Sequence, residues 1–183
     1  MLTPVPFYFL RHGETDWNAA YRAQGRQDIP LNTRGRQQAR DAALRLHDCG
    51  IRTICSSPLL RARETADIIA QGLGLSINTV QDLQEAHLGP FEGSMPGRWL
   101  QRWRGGHTDA GMESHAGFQQ RTQAAIHEAL TQPGPVLIVA HGGTHAVLQQ
   151  LTRIIADTHQ TNAQALFFQP PDALRSYWSS TLI

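Results

Sequence analysis

Two short motifs in the sequence place a histidine beside a glycine: Arg11-His12-Gly13-Glu14 and His141-Gly142-Gly143. A neutral histidine ring carries a lone pair that can attack an electrophile or accept a proton near neutral pH. The arginine in the first motif offers paired N–H donors that match phosphoryl oxygens. These residue types are suited to phosphoryl transfer if the fold brings the two motifs together.

The pattern of apolar residues predicts an α/β sandwich with a mostly parallel central sheet, because short strand-like runs alternate with helical periodicities. The predicted strands are Val5–Leu10, Arg52–Cys55, Ser76–Val80, Val136–Ala140, Leu166–Gln169 and Arg175–Ser179. The predicted helices are Arg34–Asp48, with Thr33 as its cap, Leu59–Leu73 and Ser114–Leu130. We expect a single domain over residues 1–183, with a short cap-like insertion around 90–112.

The two histidine motifs directly follow the first and fourth predicted strands. Ligands of open α/β sheets bind outside the carboxyl ends of the strands, at a switch point in strand order. Each glycine after a histidine is expected to let the backbone turn tightly. The two motifs should therefore meet at one crevice.

The composition narrows the class of protein. A net charge of +1 gives no field that favours nucleic acid. The sequence has no apolar run near the ~18 residues of a membrane span and no signal-peptide pattern at its start, so we expect a cytoplasmic protein with no membrane contact. The two cysteines, Cys49 and Cys55, are expected to be reduced thiols. All 16 basic residues are arginine.

Five ordered motifs resemble those of the histidine phosphatase superfamily, whose fold is phosphoglycerate mutase-like. The resemblance covers nearly the whole chain and is specific because the motifs occur in the family's order. The matching segments are Arg11–Asn18, Gln24–Gly35, Ser56–Ala66, Leu83–Gly93, and Gly111–Ser114 together with Ala140–Gly143. The small phosphatase members of the family, such as the α-ribazole phosphatases, are the most similar in appearance.

The resemblance implies a role for each matching side chain. His12 would attack phosphorus and form a phosphohistidine, which splits one difficult step into two. Arg11, Arg61 and a protonated His141 would stabilise the phosphoryl charge, which phosphoryl transfer needs more than it needs a metal. Glu85 would protonate the leaving oxygen and later deprotonate the water. The residues expected to contact substrate are Asn18, Gln24, Gly25 and Gly142. No cofactor and no metal are expected.

Several nearby residues have competing interpretations. Glu92 is the nearest competitor to Glu85, and Glu14 is expected to orient an arginine or histidine. His141 and His145 have a spacing that could bind a metal, but no further ligand motif accompanies them. Arg63 is expected to be solvated and Asp28 to lie in a structural turn. The remaining histidines are interpreted as structural: His47, His87, His107, His115, His127 and His159.

The segment Arg98–Arg104 carries three arginines and two tryptophans. Interleaved basic and aromatic residues can bind nucleic acid, but the segment falls where the family places its substrate-facing cap. Pocket lining is therefore the first interpretation, and an amphipathic helix without substrate contact is the second.

The same scaffold hosts phosphatases and mutases. The interval of 56 residues from Glu85 to His141 is shorter than in the cofactor-dependent mutases, and Ala86 and Leu88 stand where those mutases have an arginine and a tyrosine. A phosphatase that acts on a small phosphorylated metabolite is the first hypothesis. A phosphoglycerate mutase that uses Arg98, Arg102 or Arg104 for a second phosphate is the alternative, and a non-catalytic module that binds a phosphorylated ligand is the third. The substrate and the oligomeric state stay open.

Overall fold

The structure, a computed structural model, describes residues 2–154 and 161–183. Its six-stranded sheet has the order β3-β2-β4-β1-β5-β6. The strands are β1 Phe7–Arg11, β2 Thr53–Ser56, β3 Ile77–Thr79, β4 Val136–Ala140, β5 Ala165–Gln169 and β6 Ser179–Leu182. Strands β1 to β4 run parallel, β5 is antiparallel to β1, and β6 is antiparallel to β5. The prediction of a mostly parallel sheet is confirmed.

In the described parts of the chain, six α-helices connect and cover the strands: α1 Asp16–Ala19, α2 Thr33–Leu46, α3 Leu60–Leu73, α4 Arg98–Arg104, α5 His115–Leu130 and α6 Gly142–Thr152. Two short 3₁₀ turns, Gln81–Leu83 and Gly89–Phe91, precede α4. The three predicted helices correspond to α2, α3 and α5 within two residues at each end. His159 lies outside the described residues.

The alternation of side chains along β1 divides the core between the two faces of the sheet. Phe7 and Phe9 belong to the cluster that contains buried residues of α5 and α6. Tyr8 and Leu10 belong to the cluster that contains buried residues of α2 and α3. Successive residues of a strand point to opposite faces, so the central strands need apolar residues throughout. The result is the predicted three-layer sandwich.

Two local predictions are wrong. Asn32, and not Thr33, caps α2, because its side chain accepts a hydrogen bond from Gly35 N at 2.8 Å. The last strand is Ser179–Leu182 and not Arg175–Ser179. The side chain of Asp172 accepts hydrogen bonds from Leu174 N and Arg175 N. These bonds hold residues 172–175 in a turn, so the strand begins only after them.

The register of β1 and β4 brings the two histidine motifs together. Arg11 lies opposite Ala140, and His12 N donates a hydrogen bond to Ala140 O at 3.0 Å. Both strands therefore end at the same edge of the sheet, as the sequence predicted. Within the described residues, no helix has the length and apolar character needed to cross a membrane.

Candidate active site

A cavity of about 460 Å³ opens beyond the carboxyl ends of β1 and β4. It is lined by all the predicted site residues except His141: Arg11, His12, Asn18, Gln24, Gly25, Arg61, Glu85 and Gly142. His141 lies beside it, with its ring centroid 5.4 Å from that of His12. The structure thus gathers at one cavity residues that lie as far apart in sequence as Arg11 and Gly142.

The orientation of the His12 ring is fixed by its own loop. Its Nδ1 lies 2.7 Å from Gly13 O, and the side chain is buried. A carbonyl oxygen only accepts, so Nδ1 must carry the proton and Nε2 keeps its lone pair. Burial lowers the pKa of His12 well below its usual value, and the positive charges of Arg61 and Arg11 lower it further, although the hydrogen bond to Gly13 opposes this. Neutral His12 is therefore favoured at neutral pH.

Gly13 is required for a reason other than the predicted tight turn of the backbone. It and the two glycines after His141 do not adopt the left-handed backbone conformation. A Cβ at Gly13 would instead lie 2.5 Å from Gly35 O, because the loop after β1 packs directly on the start of α2. Close approach of two backbones, and not a tight turn, is what requires glycine here.

Two arginines lie close to His12, of which Arg61 is buried and Arg11 is half-buried. Arg61 is 1% exposed, and its terminal nitrogens donate to Gly25 O and Gln27 O, each at 2.8 Å. Burial lowers the pKa of Arg61 to about 10, although the charge of Glu85 opposes this, so the guanidinium stays charged at neutral pH. Burial also lowers the pKa of Arg11, again opposed by Glu85. The cavity therefore has two fixed cations at its base.

His141 is fully buried, and its Nε2 lies 2.8 Å from Ser57 Oγ. Its Nδ1 is buried without a hydrogen-bond partner among residues 2–154 and 161–183. Burial lowers the pKa of His141 well below its usual value, and the charge of Arg61 lowers it further. The protonated form expected from the sequence is thus disfavoured without an anion nearby, and a dianionic ligand would favour it. Sequence reasoning missed the Ser57 contact, although Ser57 lies in one of the segments that match the family.

Two backbone amides hold the carboxylate of Glu85. One oxygen accepts from Ala86 N and the other from Gly143 N, each at 3.0 Å. A Cβ at Gly143 would lie 2.1 Å from Glu85 Oε1 and 2.7 Å from Phe118 Cζ. The second glycine after His141 therefore leaves room for the Glu85 carboxylate, which its motif alone did not indicate.

The competing acidic residues are engaged elsewhere. Glu92 accepts hydrogen bonds from Arg26 N at 2.9 Å and Leu88 N at 3.1 Å, so its carboxylate ties two loops together. Glu14 accepts a hydrogen bond from Asn32 at 3.0 Å and pairs with Arg34 at 3.5 Å, so the arginine that it orients lies at the start of α2. Asp28 accepts from Leu60 N at 2.6 Å and so caps α3.

Asn18 and Asn162 link the His12 side of the cavity to β5. Asn18 Oδ1 accepts hydrogen bonds from Thr15, the N-cap of α1. Asn162 Nδ2 donates to His12 O at 2.9 Å and lies 3.4 Å from Asn18 Oδ1. Asn162 lies just before β5 and 150 residues after His12, so no local sequence signal pointed to it.

Helix α4 supplies part of the cavity wall. Trp99, Leu100, Trp103 and Arg104 line it, together with Arg22 from the loop after α1. Trp99 stacks on Phe91 with ring centroids 4.7 Å apart. Pocket lining, the first interpretation of this segment, is therefore confirmed for those four residues.

The remaining histidines and cysteines need few corrections. His115, interpreted as structural, lines the cavity and packs edge-on against Trp103. His145 also lines the cavity and stacks on Phe9. Burial lowers its pKa to about 4, and the charge of Arg11 contributes to this shift.

Among the described residues, no three of His, Cys, Asp and Glu are grouped to hold a metal ion. Cys49 and Cys55 are free thiols, and Arg63 pairs with Asp67 on an exposed face, as predicted.

The family described as the histidine phosphatase superfamily (branch 1) matches residues 7–169. The chain belongs to this superfamily. A relative named as a probable phosphoglycerate mutase GpmB, from Escherichia coli O1:K1 / APEC, is 37% identical over 147 residues, which are 74% of this chain and 68% of the relative. The family assignment agrees with the motifs and with the site they form.

Solved structures of similar proteins share the whole architecture. A mycobacterial glucosyl-3-phosphoglycerate phosphatase in complex with VO3 superimposes with a TM-score of 0.80 at 28% identity, covering 97% of this chain and 96% of that one. The protein TTHB049 from Thermus thermophilus has a TM-score of 0.75 at 28% identity, covering 98% and 100%. The superfamily and these neighbours support an enzyme of the phosphatase or mutase type.

Proposed function

We propose that this chain is a phosphatase that hydrolyses a small phosphomonoester through a phosphohistidine at His12, without a metal. The observation that carries the proposal is the state of the His12 ring. Its Nδ1 is hydrogen-bonded to Gly13 O, so Nε2 is the nitrogen left to attack, beside the buried Arg61 and the half-buried Arg11. A buried, neutral imidazole next to fixed cations suits a nucleophile that must approach a dianionic phosphoryl group.

In the first step, His12 Nε2 forms a bond to phosphorus as the bond to the leaving oxygen breaks. Arg11 and Arg61 neutralise the phosphoryl oxygens, and His141 donates to them once the dianion favours its protonated form. Glu85 supplies the proton that the leaving oxygen needs, so the product departs as an alcohol. Asn18, Gln24, Gly25 and Gly142 form the rest of the phosphoryl and substrate contacts.

In the second step, Glu85 accepts a proton from water as the water oxygen bonds to phosphorus and the N–P bond breaks. His12 returns to its neutral form, and inorganic phosphate leaves. Glu85 regains the proton that it gave up in the first step, which closes the cycle without a cofactor. The carboxylate is held in place for both steps by Ala86 N and Gly143 N.

The test is the replacement His12→Ala beside a matched control, His47→Ala, whose ring is exposed and forms a hydrogen bond with the exposed Asp48. Phosphate release from p-nitrophenyl phosphate should fall more than about a hundredfold in His12→Ala and stay near wild type in the control. Rapid quench of the wild-type enzyme should trap a phosphoryl group that is labile in acid, as expected of a phosphohistidine. Activity lost with EDTA and restored by magnesium would contradict the metal-free mechanism.

A mutase is the second candidate, because Arg22 and Arg104 line the cavity and could hold a second phosphate. Of the three arginines considered in the sequence, only Arg104 reaches the cavity wall. The decisive assay supplies 3-phosphoglycerate with a trace of 2,3-bisphosphoglycerate. Phosphate release that exceeds interconversion supports the phosphatase, and rapid interconversion with negligible phosphate release supports the mutase.

The segment around 90–112 is proposed to act as a short cap over the leaving-group end of this single domain. Its helix α4 supplies two tryptophans of the cavity wall, Trp99 and Trp103. The relatives are named for phosphoglycerate and glucosyl-3-phosphoglycerate chemistry, which supports a small phosphorylated metabolite as substrate. A screen of phosphorylated metabolites would identify it.

A further inference from the structure

Arg121, on α5, holds the loop that carries Glu85. Its Nη1 donates to Asp82 O and Gln84 O, each at 2.8 Å, and its Nη2 donates to Glu85 O at 3.0 Å. Three successive contacts on one loop use the flat, fork-like geometry of a guanidinium. They also satisfy carbonyls at the end of the 3₁₀ turn that have no partner within it.

Glu113 fixes the position of Arg121. Its carboxylate accepts from Arg121 Nε at 2.6 Å and from Nη2 at 2.8 Å, which is the two-pronged geometry of a strong ion pair. Both side chains are mostly buried, at 15% and 17% exposure. Burial alone would raise the pKa of Glu113, but the hydrogen bonds and charge of Arg121, together with His87 N and Arg26, lower it.

The same glutamate also contacts the wall of the cavity. Glu113 O accepts a hydrogen bond from Trp103 Nε1 at 2.7 Å, and Trp103 lines the cavity. Glu113 Oε2 accepts from His87 N at 3.2 Å, two residues beyond Glu85. One residue therefore joins α4, the Glu85 loop and α5.

We propose that Arg121 and Glu113 are positioning residues, which set the place of the Glu85 carboxyl for proton transfer to the leaving oxygen. The inference rests on the proposed role of Glu85. Neither side chain lines the cavity, so they act through Glu85 and not on the substrate. A general acid works only within hydrogen-bond reach of its proton acceptor. A small shift of the loop therefore reduces proton transfer while Arg11 and Arg61 stay in place to bind the phosphoryl group.

Leaving groups of different acidity separate this role from a merely structural one. Phenyl phosphate and p-nitrophenyl phosphate share one ring, but phenol, with a pKa of about 10 like tyrosine, needs a proton far more than p-nitrophenol does. The measured quantity is kcat/KM, which covers the steps up to the first bond cleavage. Glu85→Gln should lose roughly a hundredfold more activity with phenyl phosphate than with p-nitrophenyl phosphate.

If the inference is right, Arg121→Gln and Glu113→Gln show the same selectivity in weaker form. Each should lose roughly tenfold more kcat/KM with phenyl phosphate than with p-nitrophenyl phosphate. Arg121→Lys should restore part of it at most, because an ammonium group cannot bridge the carboxylate and three carbonyls. In the Glu85→Gln background, Arg121→Gln should add no further leaving-group dependence, because the group that it positions is gone. The matched control is Arg175→Gln, which removes an arginine paired with Asp172 in the connection between β5 and β6.

Two outcomes distinguish an error in the proposed role of Glu85 from an error in the positioning role of Arg121 and Glu113. If Glu85→Gln loses equal activity with both substrates, the proposed role of Glu85 is wrong, and the inference falls with it. If Glu85→Gln is selective but a folded Glu113→Gln, checked by circular dichroism, loses equal activity with both substrates, Arg121 and Glu113 are structural only. Glu113→Gln keeps the carbonyl oxygen for His87 N, so it tests the inference even if Arg121→Gln does not fold.

Discussion

The amide of Gly143 donates to the carboxylate of Glu85 across 58 residues of sequence, at 3.0 Å. This contact ties the turn after β4, which carries His141, to the loop that carries the proposed acid. It exists only because position 143 has no side chain, since a Cβ there would overlap the carboxylate. The second glycine of the motif, Gly143, thus helps to position the Glu85 carboxylate.

Gly143→Ala should therefore lower kcat by roughly a hundredfold, the scale of losing a general acid. The comparison variant is Gly142→Ala, whose Cβ would meet nothing closer than Arg11 Nε at 3.8 Å. We expect it to lose much less activity. Equal losses in the two variants would show that the carboxylate contact is not what position 143 protects. Thermal unfolding of both variants checks that each is folded.

Much of this arrangement could be predicted from the sequence. The strands before the two motifs were predicted as Val5–Leu10 and Val136–Ala140, and ligands of open α/β sheets bind at the carboxyl ends of the strands, so the meeting of His12 and His141 was predictable. The contacts of Asn162 and Arg121 were not, because they depend on where a distant loop or helix face comes to lie. Gly143 was visible in the motif, but the neighbour that requires a glycine there was not.

Stability should fall as the pH falls below the ordinary histidine pKa of about 6.5. The pKa values of His12, His141 and His145 are all lowered in the folded state. Between the folded and unfolded pKa values, the unfolded chain binds more protons, so the free energy of unfolding decreases with falling pH. Each histidine contributes at most about 1.4 kcal/mol per pH unit.

Urea unfolding at several pH values between 7.5 and 5 measures this slope. His145→Gln removes one of the three groups, and the slope should become shallower while the sign stays the same. An unchanged slope in that variant would mean that His145 is protonated as easily in the folded chain as in the unfolded one.

Vanadate should inhibit competitively and stabilise the protein, because it can form the five-coordinate geometry of the phosphoryl group in transfer. At a hundred times its Kd it would add about 2.7 kcal/mol to the free energy of unfolding. The stabilisation should be largely lost in His12→Ala and in Arg61→Gln, and it should persist in EDTA. Calorimetry with and without vanadate measures it, and full stabilisation of His12→Ala would place the anion away from the nucleophile.

Arg22 and Arg104 both line the cavity, at the end where we propose that the leaving group binds. Neither side chain has a hydrogen bond or ion pair with another residue in the described parts of the chain. Beside the apolar wall of Trp99 and Trp103, such cations favour a substrate that carries a second anionic group. We therefore expect 3- or 4-carboxyphenyl phosphate to have a kcat/KM roughly five- to tenfold above that of phenyl phosphate, the scale of a partly exposed ion pair.

Arg104→Gln and Arg22→Gln should each move this ratio towards one, whereas Arg40→Gln, on the exposed face of α2 beside Gln37, should leave it unchanged. The ratio compares two substrates of one variant, so a general loss of activity cancels. High salt should reduce the preference, because exposed charges are screened within about 10 Å at 0.1 M salt. If neither carboxylate isomer is preferred by the wild-type enzyme, the two arginines do not select the leaving group, and the tryptophan wall alone would set the choice of substrate.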